Sequence, residues 1–104
     1  MAEIPFADRL EWFDAIVSGS FRGSDIRVAW AIVQLLDERT NAAIFTQGAV
    51  ARRMGLSKET AEDAVRILRR TGYIATDICV GPGQANAHRL AWPHPTGAMP
   101  RGEQ

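Results

Sequence analysis

The sequence predicts an α+β fold, mainly α-helical with a small β hairpin, and three observations carry that expectation. First, FTQGAVARRMGLSKETAEDAVRILRRTGYI (Phe45 to Ile74) reads as two short helices joined by a tight turn. Val50, Ala51 and Met54 recur at i, i+1, i+4, and Ala61, Ala64, Val65 and Leu68 at i, i+3, i+4, i+7, each the spacing of one helical face. Gly55 between them tolerates the left-handed conformation that closes a helix, and Ser57 offers a hydroxyl to cap the next one. Second, DIRVAWAIVQLLDER (25–39) is the most apolar helical stretch of the chain. Third, Tyr73 to Val80 and HRLAW (88–92) read as two strands flanking the turn-rich GPGQAN.

The elements are expected in the following order. Residues 1–5 form a loose lead-in. From Phe6 to about Ser18, Leu10, Phe13, Ile16 and Val17 share one face, with Asp8, Arg9, Glu11 and Asp14 mostly opposite, so a short amphipathic helix closes near Gly19. SGSFRGS is turn-rich and delivers Ser24 as a cap for the long helix. There Ile26, Ala29, Trp30, Val33 and Leu36, with Val28, Ile32 and Leu35, make an apolar band wider than a single contact requires. Such a helix is central to the domain or packs on two sides, and the second option includes a dimer interface. Asn41 ends it, and Ala42 to Phe45 fits a brief strand. The two helices of Phe45–Ile74 follow, the second ending at Gly72, and the hairpin comes last. The tail from Pro93 is expected to be mobile. Three units result: 1–22, an N-terminal amphipathic helix and turn; 23–92, the main domain; and 93–104, a flexible tail.

Composition narrows the function classes. A chain of 104 residues with 46% apolar side chains is expected to bury one core. Its apolar runs are far short of the roughly 20 residues of a membrane span, so no membrane partner is expected. The opening MAEIPFADRLEW has no basic stretch ahead of an apolar one, which argues against a signal peptide. A single cysteine, Cys79, excludes an internal disulfide and fits a cytoplasmic setting. Net charge is zero but unevenly spread. Residues 1–45 hold four arginines against seven acids, whereas residues 46–70 hold six basic residues against three acids, an excess of +3 beside the paired helices.

Helix, glycine turn, capped helix is the arrangement that presents a helix to the major groove of DNA, and a hairpin directly after it is a wing. Residues 27–92 resemble a winged helix-turn-helix domain of the kind found in bacterial, phage and plasmid replication-initiator and regulatory proteins. The likeness rests on the long apolar helix, the short aromatic strand IFTQ, the VARRMGLSKETAEDAVRILRRTGYI skeleton and the Gly-rich hairpin. The preceding RLEWFDAIVSG resembles the extra helix that some of those proteins carry. The resemblance implies sequence-specific binding of double-stranded DNA, in the service of transcriptional regulation. Carried over by position, it implies that the N-terminal half of the second helix reads bases, with Ser57, Lys58, Glu59, Thr60, Glu62, Asp63 and Arg66 on that face, Ser57 and Thr60 there to cap the helix or donate to phosphate. Lys58 and Arg66 are the foremost base readers. Thr46, Gln47, Arg52 and Arg53 would hold phosphate, and His88 and Arg89 would serve from the wing. The chain departs from the pattern by placing Glu59, Glu62 and Asp63 where relatives usually have Arg, Lys or Gln, and its wing tip is neutral. The same fold serving as a protein–protein adaptor of a replication or transcription complex is therefore the alternative reading. A homodimer is expected through the N-terminal helix, with Trp12 and Phe13, and through residues 26–36.

Other chemistry finds little support. Trp30 reads as core, while Trp12 and Trp92 fit either core or a subunit contact. Cys79 reads as a small buried hydrophobe. His88, His94 and Cys79 lack metal-ligand spacing, and no catalytic set stands at a meaningful spacing, so neither a metal, a cofactor nor an enzyme activity is expected.

Overall fold

The structure, a computed structural model, describes residues 2–78 and 85–93. Four α-helices pack on five short antiparallel strands, an α+β architecture. In chain order these are β1 (Ala2–Glu3), a 3₁₀ turn (Phe6–Asp8), α1 (Arg9–Ser18), α2 (Gly23–Leu35), β2 (Leu36–Asp37), β3 (Ala42–Phe45), α3 (Gln47–Met54), α4 (Lys58–Arg70), β4 (Ile74–Asp77) and β5 (Asn86–Trp92). β5 is the hub of the sheet. β4 runs along one edge of it (Ile74↔Leu90 to Asp77↔Ala87), while β3 pairs its start (Phe45↔Asn86, Ala43↔His88) and β1 its end (Ala2↔Trp92).

The N-terminal residues are therefore not a loose lead-in. Ile4 is buried and its N–H donates to the Leu90 carbonyl at 3.1 Å, which extends the β1 pairing. A short apolar segment beside an open edge of β5 is captured because pairing satisfies backbone groups that would otherwise face each other unbonded.

α1 begins three residues later than the apolar pattern indicates, and it is rotated. Trp12 and Ile16 point inward and are fully buried, whereas Leu10 and Val17 are 56% and 47% exposed. The rotation follows Trp12, whose indole N–H donates to the Tyr73 carbonyl at 2.9 Å. Trp12 is thus core and not a subunit contact. Trp92 is half-buried, edge-on to Tyr73.

α2 is capped by Arg22 and Asp25, not by Ser24. The Arg22 backbone N–H and guanidinium donate three hydrogen bonds of 3.0–3.3 Å to the buried Asp25 carboxylate. The helix stops at Leu35, four residues short of the expected end, because Leu36 turns extended to pair with Ala43 and bury its side chain. The wide apolar band is consumed within the chain: Val28, Ala29, Ala31, Ile32 and Val33 all lie in one core with residues of α1, α3, α4 and the sheet. Most of residues 26–36 are consequently unavailable to a dimer. Trp30, beside the exposed Arg27 and Gln34, is the aromatic exception, 37% exposed and resting on Phe13 at a centroid distance of 5.0 Å.

α3 and α4 form as their sequence signals dictate. Thr46 Oγ1 accepts from the Ala49 N–H at 3.1 Å, and Ser57 Oγ accepts from the Thr60 N–H at 3.1 Å. Between them Gly55 sits at φ 70°, ψ 35°, where an L-residue incurs roughly 1–2 kcal/mol. A Cβ there would meet nothing within 4 Å, so Gly55→Ala should cost about 1 kcal/mol in denaturant unfolding from backbone conformation alone. At Gly72 (φ 88°) a Cβ would stand 3.1 Å from Pro93 Cα, and Gly72→Ala should cost distinctly more. Equal losses at the two sites would refute the steric part of this account.

The hairpin differs at its ends from the expected strands. β4 stops at Asp77 with Ile78 69% exposed, and β5 begins two residues early at Asn86. Cys79, Val80, residues 81–84 of the expected turn, His94 and the rest of the expected tail lie outside the described residues.

Candidate nucleic-acid interface

The candidate face is built by α4. Ala61, Ala64, Val65 and Leu68 are buried, which fixes the helix about its own axis. The opposite stripe therefore carries Lys58, Glu59, Glu62, Asp63 and Arg66 outward, with Arg69 and Arg70 one turn further on. The Ser57 cap starts this helix on the same side, and Ser57 Oγ and Thr60 Oγ1 share a hydrogen bond of 2.8 Å. Both hydroxyls serve the helix start; Ser57 is exposed and Thr60 half-buried.

Two acids of this face, Glu62 and Asp63, are already engaged. Asp63 accepts from Arg22 at 2.9 Å and from Arg66 at 2.6 Å, a bridge of two cations about one carboxylate. The Arg22 hydrogen bond, ahead of the Arg66 charge, holds the Asp63 carboxyl below its usual range. Lys58 stands 4.0 Å from Glu62 along the helix. All of these side chains are substantially exposed, so the pairs add little to stability. Their effect is on the field. Lys58 and Arg66 offset Glu62 and Asp63, while Arg22 divides its charge between Asp63 and the buried Asp25, so the face is less acidic than its own carboxylates make it. Arg22 is the residue that sequence reasoning missed. It comes from the turn before α2, 41 positions from Asp63, and nothing in local spacing signals the encounter.

Around this centre stand four arginines. Arg52 and Arg53 are exposed on the last turn of α3, and Arg69 and Arg70 on the last turn of α4. None of the four has an ion-pair partner among the described residues. Arg53 Nε donates only to Gln34 Oε1, at 3.3 Å. Thr46 is spent as the cap of α3, and Gln47 is the first residue of that helix, half-buried.

The two residues expected from the wing are elsewhere. His88 is fully buried, stacked on Phe45 at 4.2 Å, with Nδ1 2.9 Å from Thr76 Oγ1, and it cannot reach a phosphate. Burial, and secondarily the positive charge of Arg69, lowers its pKa to about 4, so it is neutral at ordinary pH. Arg89 is half-buried in mid-strand and bound by Asp77 and Glu3. Alternation along β5 explains both: His88 faces the core and Arg89 the opposite surface, which its register with β4 sets and its sequence alone does not.

Among the described residues no group of three or more His, Cys, Asp or Glu is placed to hold a metal ion, and no helix is long and apolar enough to cross a membrane. Compared with known proteins, the chain matches no family model and no curated protein.

Proposed function

We propose that this chain binds double-stranded DNA sequence-specifically as a winged helix-turn-helix protein, with α4 in the major groove, and that it regulates transcription in a bacterium, phage or plasmid. The observation that carries the reading is a set of four arginines, without an ion-pair partner among the described residues, flanking a helix face on which Glu62 and Asp63 are already paired to cations. Those cations meet phosphate on either side of a groove, while Lys58 and Arg66 exchange their carboxylate partners for base edges.

The expected result is a salt-dependent affinity. With about four phosphates neutralised, the logarithm of the binding constant should fall with the logarithm of salt concentration at a slope of roughly −3 to −4, read by fluorescence anisotropy on mixed-sequence duplex. Arg52→Ala and Arg53→Ala should each weaken all sequences alike and make the slope shallower by about one, whereas Lys58→Ala should reduce preference between sequences. No binding at low salt would sink the proposal.

A second reading, a protein–protein adaptor with the same fold, draws on Glu59. It is exposed on the α4 face with no cation paired to it among the described residues, which suits a protein partner of mixed charge better than a polyanion. A partner retained on the protein after nuclease digestion, and lost in Glu59→Lys, is its expected signature.

A further inference from the structure

One surface is unused by the DNA reading. Leu10 and Val17 on α1 and Trp30 on α2 are the large exposed apolar side chains of the helical layer, at 56%, 47% and 37%. Phe13, half-buried, joins them by its tilted contact with the Trp30 ring. Contiguous apolar exposure of this kind on a small domain marks a contact surface. It is a face built by two helices, with their inward sides committed to the core by Trp12, Ile16, Val28 and Ile32.

The charges at its two edges identify the occupant. Helical spacing orders the side chains across the surface. Phe13 lies toward α2, then Val17 and Leu10, and then Asp14 and Glu11 at the outer edge of α1. On α2 the outward stripe is Arg27, Trp30 and Gln34, with Trp30 toward α1 and Arg27 on the far edge. The patch is therefore acidic along one side and basic along the other, with an apolar centre. Glu11, Asp14 and Arg27 are all exposed, and none has an ion-pair partner among the described residues. A two-fold axis lying in this surface along the Phe13–Trp30 seam exchanges the two edges. It sets Arg27 of one copy against Asp14 of the other, twice, and buries both apolar centres against each other.

We propose that the α1/α2 face is a self-complementary interface through which two copies of this chain form an isologous dimer. The arrangement is what a closed two-fold contact requires, since each copy offers both halves of every pair. It uses none of Lys58, Glu59, Glu62, Asp63 or Arg66 of α4, and it stands independently of what that face binds.

The experiment is sedimentation equilibrium of the purified chain without nucleic acid, across a wide concentration range. The wild type should reach twice the chain mass. Trp30→Glu and Leu10→Glu place a charge in the apolar centre and should weaken association by about a hundredfold or more, at unchanged helical circular dichroism. Asp14→Arg and Arg27→Asp each create two like-charge pairs and should weaken it on the order of tenfold, and the Asp14→Arg/Arg27→Asp double variant should recover most of the loss. Recovery in the double variant is the diagnostic result, because a structural fault at either position would not be repaired by the other. A wild type that stays monomeric at the highest attainable concentration overturns the proposal, as does a dimer indifferent to all four single changes. A face reserved for a different protein would give the monomeric result.

Discussion

Trp12→Ala is expected to lower the unfolding free energy by about 3–5 kcal/mol, the range for emptying a fully buried aromatic site. The side chain has no exposed surface and sits in the core with Ile4, Ile16, Val28 and Leu68. Its indole N–H also ties α1 to the Tyr73 carbonyl, between α4 and β4. That carbonyl keeps a second donor, the Ala91 N–H at 2.9 Å, so losing the indole does not strand it. Most of the cost is therefore the cavity. A domain of this size has about 5–15 kcal/mol of stability in all, and the melting temperature should fall by roughly 20 °C. Trp12→Phe retains most of the apolar volume and should cost less than half as much. If Trp12→Ala melts within a few degrees of wild type, α1 is not integral to the core and the account of its rotation fails.

Acid should destabilise the protein through His88 well above the range in which carboxylates titrate. Its folded-state pKa of about 4 lies below the ordinary 6.5, because burial disfavours the charged ring and Arg69 adds repulsion. The unfolded chain thus takes up this proton first as pH falls. The stability that depends on a neutral His88 is complete above pH 6.5, declines by up to about 1.4 kcal/mol per unit below it, and is exhausted near pH 4, for a total of roughly 3 kcal/mol. Asp63, held below its usual 3.8 by Arg22, loses its contribution only under stronger acid, so the two windows separate. His88→Phe preserves a ring against Phe45 but cannot titrate. Denaturant unfolding between pH 6.5 and 4 should show a steep loss in wild type and a much flatter profile in the variant. At neutral pH the variant should be no more than about 1 kcal/mol weaker, for the Thr76 hydroxyl left without its partner. An unchanged pH profile in His88→Phe would assign the acid sensitivity to another group.

Legibility followed the range of the forces involved. The Gly55 turn, the Ser57 cap and the buried stripe of α4 depend on atoms within four residues of one another, and the sequence displays them directly, whereas Thr46, expected at phosphate, caps α3. The end of α2 was not legible, because Leu36 leaves the helix to pair with Ala43. Nor was the strand status of Ala2–Glu3, which depends on an open stretch of β5 some ninety positions away. On the candidate site, Lys58, Arg66, Arg52 and Arg53 stand exposed where helical spacing places them, whereas His88 and Arg89 follow the pleat of a strand whose register no local signal specifies.

The sequence by itself determined that a helix and a Ser-capped second helix meet at a glycine turn and that a basic excess lies beside them. Helix periodicity, capping and formal charge are properties of neighbours along the chain. Only the tertiary structure decided what the Asp63 carboxylate on α4 meets, because Arg22 reaches it across the fold from 41 positions away. It likewise turned the apolar band of α2 inward and left Trp30 outside with Leu10 and Val17. Which side of an apolar helix faces solvent is settled by the elements that pack against it, and here these come from distant parts of the chain.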